Sequence, residues 1–61
     1  MNRLIIYPKD IQILTGRSER YGRKLLAEIK EHLLKHRRQL ITIKEFCNYT
    51  GLKEDDVRAS L

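Results

Sequence analysis

The chain has 61 residues, of which 41% are hydrophobic and 34% are charged, and its formal net charge is +5 at pH 7. One small domain fits this length. Two domains or a deep enclosed active site do not, because so small a core contributes only about 3–5 kcal/mol of net stability. The composition is globular, and no apolar run approaches a membrane span or a signal peptide. The single cysteine, Cys47, excludes an internal disulfide, so we expect a cytoplasmic protein.

The positive charge is concentrated in the first part of the chain. Residues 1–38 contain ten Lys or Arg and four Asp or Glu, giving +6, whereas residues 39–61 contain three and four, giving −1. Such an asymmetry indicates that one end meets a polyanion while the other end has a different role.

The first predicted elements are a short strand and a helix. The strand covers residues 3–7 and ends before Pro8, because the residue preceding a proline favours an extended backbone. Pro8 suits the first turn of a helix, and Gly16 supplies the left-handed residue that ends one. We therefore predict helix 1 over residues 8–15.

Helix 2 is predicted to be long and amphipathic. Ser18 is a favourable N-cap, and nothing afterwards breaks the helix before about His36 except Gly22. Gly22 falls inside the apolar arc, where its missing side chain would allow helix 1 to approach closely. Glu31 and Lys35 have the spacing of an i, i+4 ion pair.

The second part of the chain predicts a similar series of elements. Residues 39–42 predict a second short strand. Thr42 and Glu45 form the T-x-x-E pattern of a capping box, which opens helix 3, and Gly51 ends it. Helix 4 is predicted from about Glu54 to the end of the sequence.

An internal repeat relates the two parts. Shifting the chain by 35 residues aligns residues 4–26 with residues 39–61, and seven of the 23 pairs are identical. Each unit reads as a strand, a short helix, a Thr-Gly turn and a second helix. We therefore predict one mostly α domain over residues 1–61, with four helices and two short strands, unit one covering about 4–36 and unit two 39–61.

The two Thr-Gly segments carry a family resemblance. Residues 10–16 (DIQILTG) and 45–51 (EFCNYTG) share the pattern acidic–apolar–x–x–apolar–x–Gly, followed by a second helix. This pattern resembles the helix-turn-helix of bacterial DNA-binding regulators, and small excisionase-type, phage or mobile-element proteins have a similar size and mix of elements. The resemblance implies that the second helix enters the major groove of double-stranded DNA with its N-terminal residues on base edges.

Carried over by position, the resemblance assigns the DNA-binding site to the start of helix 2. Candidate reading residues are Glu19, Arg20, Arg23 and Lys24, and the candidate DNA-binding set also includes Arg17, Ser18 and Tyr21. Arginine can contact guanine O6 and N7 with two hydrogen bonds or clamp a phosphate. A solvated helix face explains the same cations geometrically, and Tyr21 can pack against the core instead. The remaining basic residues are interpreted as phosphate-backbone contacts or solubilising charges: Arg3, Lys9, Lys30, Arg37 and Arg38, with Arg17 also in this class.

The two units depart from the family pattern differently. The family usually has a small, an apolar and a branched apolar residue at three positions, which hold Gln12, Arg17 and Gly22 in unit one and Cys47, Leu52 and Val57 in unit two. Unit two fits better, yet its second helix begins KEDD (53–56), which phosphate would repel. These acids can equally complement the positive end of the helix. We therefore assign DNA to unit one, and completion of the core or a protein partner to unit two.

The sequence is also compatible with functions other than DNA binding. The alternative is a protein-interaction or dimerisation scaffold, and RNA binding is weaker because interleaved aromatic residues are missing. Leu34 and Ala27, outside the apolar arc, favour a homodimer. We expect no enzyme and no cofactor, because the sequence offers no nucleophile–base pair, convergent carboxylates or phosphate-binding glycine loop. His32 and His36 are interpreted as half-buried helix residues rather than metal ligands, and Cys47 as an inert buried thiol.

Overall fold

The computed structural model describes residues 3–61, so Met1 and Asn2 of the predicted domain lie outside the described residues. Four helices confirm the mostly α prediction: α1 (Pro8–Thr15), α2 (Glu19–His32), α3 (Ile43–Thr50) and α4 (Glu54–Ser60). α1 packs against α2, α3 packs against α4, and α1 also contacts α4. None of these helices combines the length and apolar character needed to cross a membrane.

The two predicted strands reduce to a single antiparallel bridge between Ile5 and Thr42. Two backbone hydrogen bonds of 3.1 and 2.9 Å flank it. Pro8 starts one helix directly after the first extended segment, and Thr42 caps another directly after the second. Too few extended residues remain for a ladder, so the strands predicted over 3–7 and 39–42 were too long.

Local structure repeats at the 35-residue offset seen in the sequence. α1 and α3 have bounds 35 residues apart, and so do the first residues of α2 and α4. Gly16 and Gly51 end α1 and α3 with φ of 72° and 80°. Thr15 and Thr50 each donate a side-chain hydrogen bond to the carbonyl one turn earlier, at 2.7 and 2.9 Å. The two helix–turn–helix segments therefore have the same local hydrogen-bond pattern.

Buried or half-buried ion pairs anchor the start of both α1 and α3. Asp10 is buried, accepts from the backbone N–H of Tyr7 at 2.8 Å, and receives both guanidinium nitrogens of Arg3 at 2.9 and 2.6 Å. Arg3 thus has a structural role, and the interpretation of it as a merely solubilising charge is corrected. The equivalent acid, Glu45, is bonded to Lys35 Nζ at 2.8 Å, and this hydrogen bond holds the pKa of Glu45 below its usual value.

Both units contribute to one core. Equivalent positions in the repeat are buried together, as with Ile6 and Ile41 or Ile11 and Phe46. The buried apolar set is Ile6, Ile11, Leu26, Ile29, Ile41, Ile43, Phe46, Cys47 and Val57. Burial also raises the pKa of the Cys47 thiol, which keeps it protonated and a poor nucleophile. The interpretation of Cys47 as a buried thiol is confirmed.

The close approach predicted at Gly22 is confirmed. A Cβ built on Gly22 would lie 2.5 Å from the carbonyl oxygen of Pro8 and 3.0 Å from its Cα. No side chain larger than hydrogen fits there without moving one backbone relative to the other. Gly22 therefore sets the distance between α2 and the start of α1.

α2 ends at His32, four residues before the predicted end at His36. Leu34 adopts the left-handed conformation with φ of 58°, and the N–H of Lys35 bonds to the carbonyl of Lys30 at 2.8 Å. This geometry is a Schellman motif, in which glycine usually occupies the left-handed position. The sequence offers leucine there, which is why the end of the helix was not predicted.

The earlier end of α2 corrects two further predictions. Lys35 lies beyond the helix and bonds to Glu45 rather than to Glu31. His32 and His36 are exposed rather than half-buried. His32 is the last residue of α2, and His36 lies beyond the helix. Within residues 3–61, no group of three or more His, Cys, Asp or Glu side chains is arranged to hold a metal ion.

Leu34 is expected to destabilise the fold. Its side chain is 93% exposed, so its burial contributes almost nothing, while a left-handed leucine costs about 1–2 kcal/mol. We expect Leu34→Gly to raise the free energy of unfolding by about 1 kcal/mol, less than the full strain because glycine gains freedom in the unfolded chain. Urea unfolding followed by circular dichroism measures the change.

The matched control is Leu33→Gly. Leu33 precedes Leu34 and has φ of −87°, which leucine adopts without strain. Glycine there should lower the stability instead, so the two neighbouring substitutions should have opposite signs. Equal effects of both would contradict the role of backbone strain at Leu34.

Candidate nucleic-acid interface

A short turn positions the start of α2. Gly16 ends α1 in the left-handed conformation, and Ser18 is extended with φ of −71° and ψ of 161°. The Ser18 hydroxyl accepts a hydrogen bond from the backbone N–H of Tyr21 at 3.1 Å. The N-cap prediction is confirmed, and the Ser18 hydroxyl is thereby used to fix the first turn of α2.

Four cations surround this first part of α2. Arg17, Arg20, Arg23 and Lys24 are all exposed. Arg23 lies 3.7 Å from Glu19, with both side chains more than half exposed. An exposed pair contributes at most about 1 kcal/mol, so Arg23 can reorient at little cost. Within residues 3–61, no ion pair joins Arg20 or Lys24 to a carboxylate.

Tyr21 links this cationic surface to the core. Its ring is half-buried and packs against the hydrophobic cluster, so core packing, one of its two predicted roles, is confirmed. The guanidinium of Arg17 lies 4.8 Å from the centroid of the same ring, within the range of a cation–π contact. Arg17 is therefore held beside the first turn of α2, although it precedes the helix.

The equivalent start of α4 is different in charge and in bonding. Its first turn contains Glu54, Asp55 and Asp56. Arg58, the equivalent of Arg23, bonds to Glu54 at 3.1 Å and also donates to the backbone carbonyl of Arg3. The arginine of unit two therefore holds the N-terminal segment in place, whereas Arg23 remains exposed.

An open groove beside α2 was missed by the sequence analysis. Its volume is about 460 Å³, and it lies between α2, the start of α1 and the segment 35–41. Aliphatic residues form its floor, and its basic residues are Arg23, Lys30, Lys35 and Arg37. The basic run KHRR at 35–38 was the only feature of the sequence that pointed to this groove. The sequence does not reveal that this segment folds back towards α2.

All seven predicted site residues lie in the continuous segment 17–24. Five carry exposed charges, while Ser18 caps the helix and Tyr21 packs against the core. Comparison with protein-family models, with curated proteins and with solved structures returned no match. The resemblance to helix-turn-helix regulators therefore depends on the residues of this chain alone.

Proposed function

We propose that this protein binds double-stranded DNA with the N-terminal half of α2 in the major groove. It would act in the cytoplasm as a transcriptional regulator or recombination accessory factor, with a binding rather than a catalytic role. The observation that carries the proposal is the set of four exposed cations around the first two turns of one helix: Arg17, Arg20, Arg23 and Lys24.

The chemistry of these residues suits a DNA duplex. Arg20 and Arg23 can each contact guanine O6 and N7 or clamp a phosphate, while Glu19 can accept from cytosine N4. Lys24 lies one turn after Arg20 and adds a phosphate contact. The positive end of the helix dipole also attracts phosphate. The close contact at Gly22 supports the proposal, since a reading helix has to be presented rigidly.

A protein-interaction or dimerisation role is the second candidate. Two exposed apolar residues of the α2 region, Ala27 and Leu34, support a homodimer, and the acidic start of α4 supports a protein partner for unit two. This role is compatible with DNA binding, because regulators of this type commonly bind paired half-sites as dimers.

Salt dependence distinguishes DNA binding from a scaffold function. We expect the protein to bind a labelled random duplex, with a log–log slope of affinity against salt on the order of −3 to −4, since each phosphate contact contributes about −0.9. Fluorescence anisotropy across about 50–200 mM KCl measures this slope. Absence of binding at the lowest salt would reject the proposal, and so would binding with a flat slope.

A further inference from the structure

The groove beside α2 is about as long as two turns of a helix. α2 contributes Arg23, Ala27 and Glu31, which are successive turns on one side of the helix. Eight residue steps at 1.5 Å give a wall about 12 Å long, or two helical turns. The opposite wall contains Tyr7 and Leu40, which are 47% and 53% exposed. The groove therefore combines a buried aliphatic floor with apolar side chains that still contact solvent.

The rim of this groove carries basic side chains whose charges are only partly neutralised by nearby carboxylates. Lys35 is neutralised by Glu45 at 2.8 Å. Lys30 donates to the backbone carbonyl of Arg37 at 2.9 Å, which fixes the loop but leaves the ammonium charge unbalanced. Arg37 is exposed and has no ion pair within residues 3–61. Arg23 has only its weak contact with Glu19. Glu31 is the single acidic residue in the lining, against four basic residues, so the site still favours an anionic ligand with an apolar face.

The repeat allows a comparison of Arg23 with its equivalent in unit two. Arg58, equivalent to Arg23, donates to the carbonyl of Arg3, so the N-terminal segment runs past this part of α4. Within the described residues, the cations that donate to a backbone carbonyl are Lys30, Lys35 and Arg58, and Arg23 is not among them. The two units therefore differ at this arginine: Arg58 is bonded to the N-terminal segment, whereas Arg23 is exposed.

We propose that the groove is a docking site for an acidic amphipathic helix of a partner protein. Two turns of that helix would place apolar side chains between Tyr7 and Leu40, and carboxylates beside Arg23, Lys30 and Arg37. A second copy of this chain fits less well. Each copy carries +5, and Val57, the one large apolar residue of its acidic helix α4, is buried.

Docking has a consequence for the proposed DNA site. Arg23 belongs both to the groove and to the cationic start of α2. A bound acidic helix would neutralise Arg23 and repel phosphate, so the partner and DNA would compete. This consequence depends on the proposed function, whereas the docking itself does not.

The test uses the full chain and a fluorescein-labelled synthetic peptide of about 14 residues, with leucines at i, i+3, i+4 and i+7 and acids elsewhere. A scrambled peptide of the same composition keeps the charge but has no apolar face. We expect the patterned peptide to bind with a Kd on the order of 10–100 µM and the scrambled peptide at least about tenfold more weakly.

Protein variants locate the binding surface. Ala27→Trp fills the groove without changing charge, and Arg37→Glu reverses one rim charge, so each should weaken binding at least about tenfold. Lys44→Glu is the matched control, because Lys44 is exposed on α3 and does not line the groove. It should change the affinity by less than about twofold. Circular dichroism verifies that each variant is folded.

Reversing the charges of both the groove and the peptide gives a result that unfolding cannot explain, because an unfolded variant would not gain affinity for a new peptide. The double variant Arg23→Glu/Arg37→Glu should lose affinity for the acidic peptide and gain affinity for a peptide in which lysines replace the acids.

Equal binding of the patterned and scrambled peptides would overturn the proposal, as would an affinity unchanged by Ala27→Trp. Sedimentation showing a dimer that Ala27→Trp disperses would overturn it in favour of a second copy. These binding experiments contain no DNA, so their results neither support nor contradict the proposed DNA binding.

Discussion

The double variant Arg20→Glu/Arg23→Glu should bind a random DNA duplex on the order of 10²-fold more weakly than the wild type at about 100 mM salt. Each phosphate contact releases about 0.9 counterion, which at that salt concentration corresponds to roughly eightfold in affinity. Two lost contacts therefore account for nearly all of this change, and the repulsion of the new carboxylates adds to it. Fluorescence anisotropy over a salt series should also show a slope smaller by about two.

The control for this prediction is Lys44→Glu/Lys53→Glu. It changes the net charge by the same amount, at exposed positions on α3 and at the start of α4. Neither lysine forms an ion pair within residues 3–61. We expect its affinity to remain within about threefold of the wild type. An equal loss in both double variants would mean that binding follows net charge rather than the surface of α2.

Gly22→Ala should lower the free energy of unfolding by about 2–3 kcal/mol. Overpacking against a side chain typically costs about 1–3 kcal/mol, and here the new Cβ would lie 2.5 Å from a backbone oxygen of Pro8, which cannot rotate away. We therefore place the cost of overpacking at about 3–4 kcal/mol, at or above the upper end of that range. Alanine favours the helix by about 1 kcal/mol relative to glycine, which offsets part of this cost. In a domain stabilised by about 3–5 kcal/mol, chemical denaturation should show a marked loss.

Gly16→Ala separates the effect of crowding from that of glycine itself. Gly16 has φ of 72°, but a Cβ there would meet nothing within 4 Å. Its substitution should cost only about 1 kcal/mol, the strain of a left-handed alanine. If Gly22→Ala were no more destabilising than Gly16→Ala, the tight contact between α1 and α2 would not be an energetic constraint.

The contact at Gly22 also connects stability with function. Gly22 lies between Arg20 and Arg23 in the sequence but faces the core, while both arginines face solvent. A shift of α2 away from α1 would therefore move the arginines relative to the rest of the molecule. In unit two the equivalent position holds Val57, which is also buried. The requirement for glycine at this helix contact therefore applies to α1 and α2 of unit one, and not to α3 and α4.

Local residue chemistry was sufficient to predict most helix boundaries. Pro8 and Gly16 bound α1 as predicted, and the capping box from Thr42 to Glu45 opens α3, which Gly51 ends. These signals act within one turn of the chain, through a fixed φ, a side-chain cap or a tolerated left-handed residue. The same reasoning placed the cations of α2 on its exposed side, because helical periodicity alone separates them from the apolar arc.

The sequence by itself thus determined where most helices begin and which side of α2 is cationic. Only the tertiary structure decided the features that depend on residues distant in sequence. α2 ends at His32 through a left-handed leucine, after which Lys35 bonds to Glu45 on another helix. The extended segments are reduced to one bridge by the helices that follow them. The groove forms because segment 35–41 folds back towards α2, and no local pattern encodes that approach: it depends on how both units share one core.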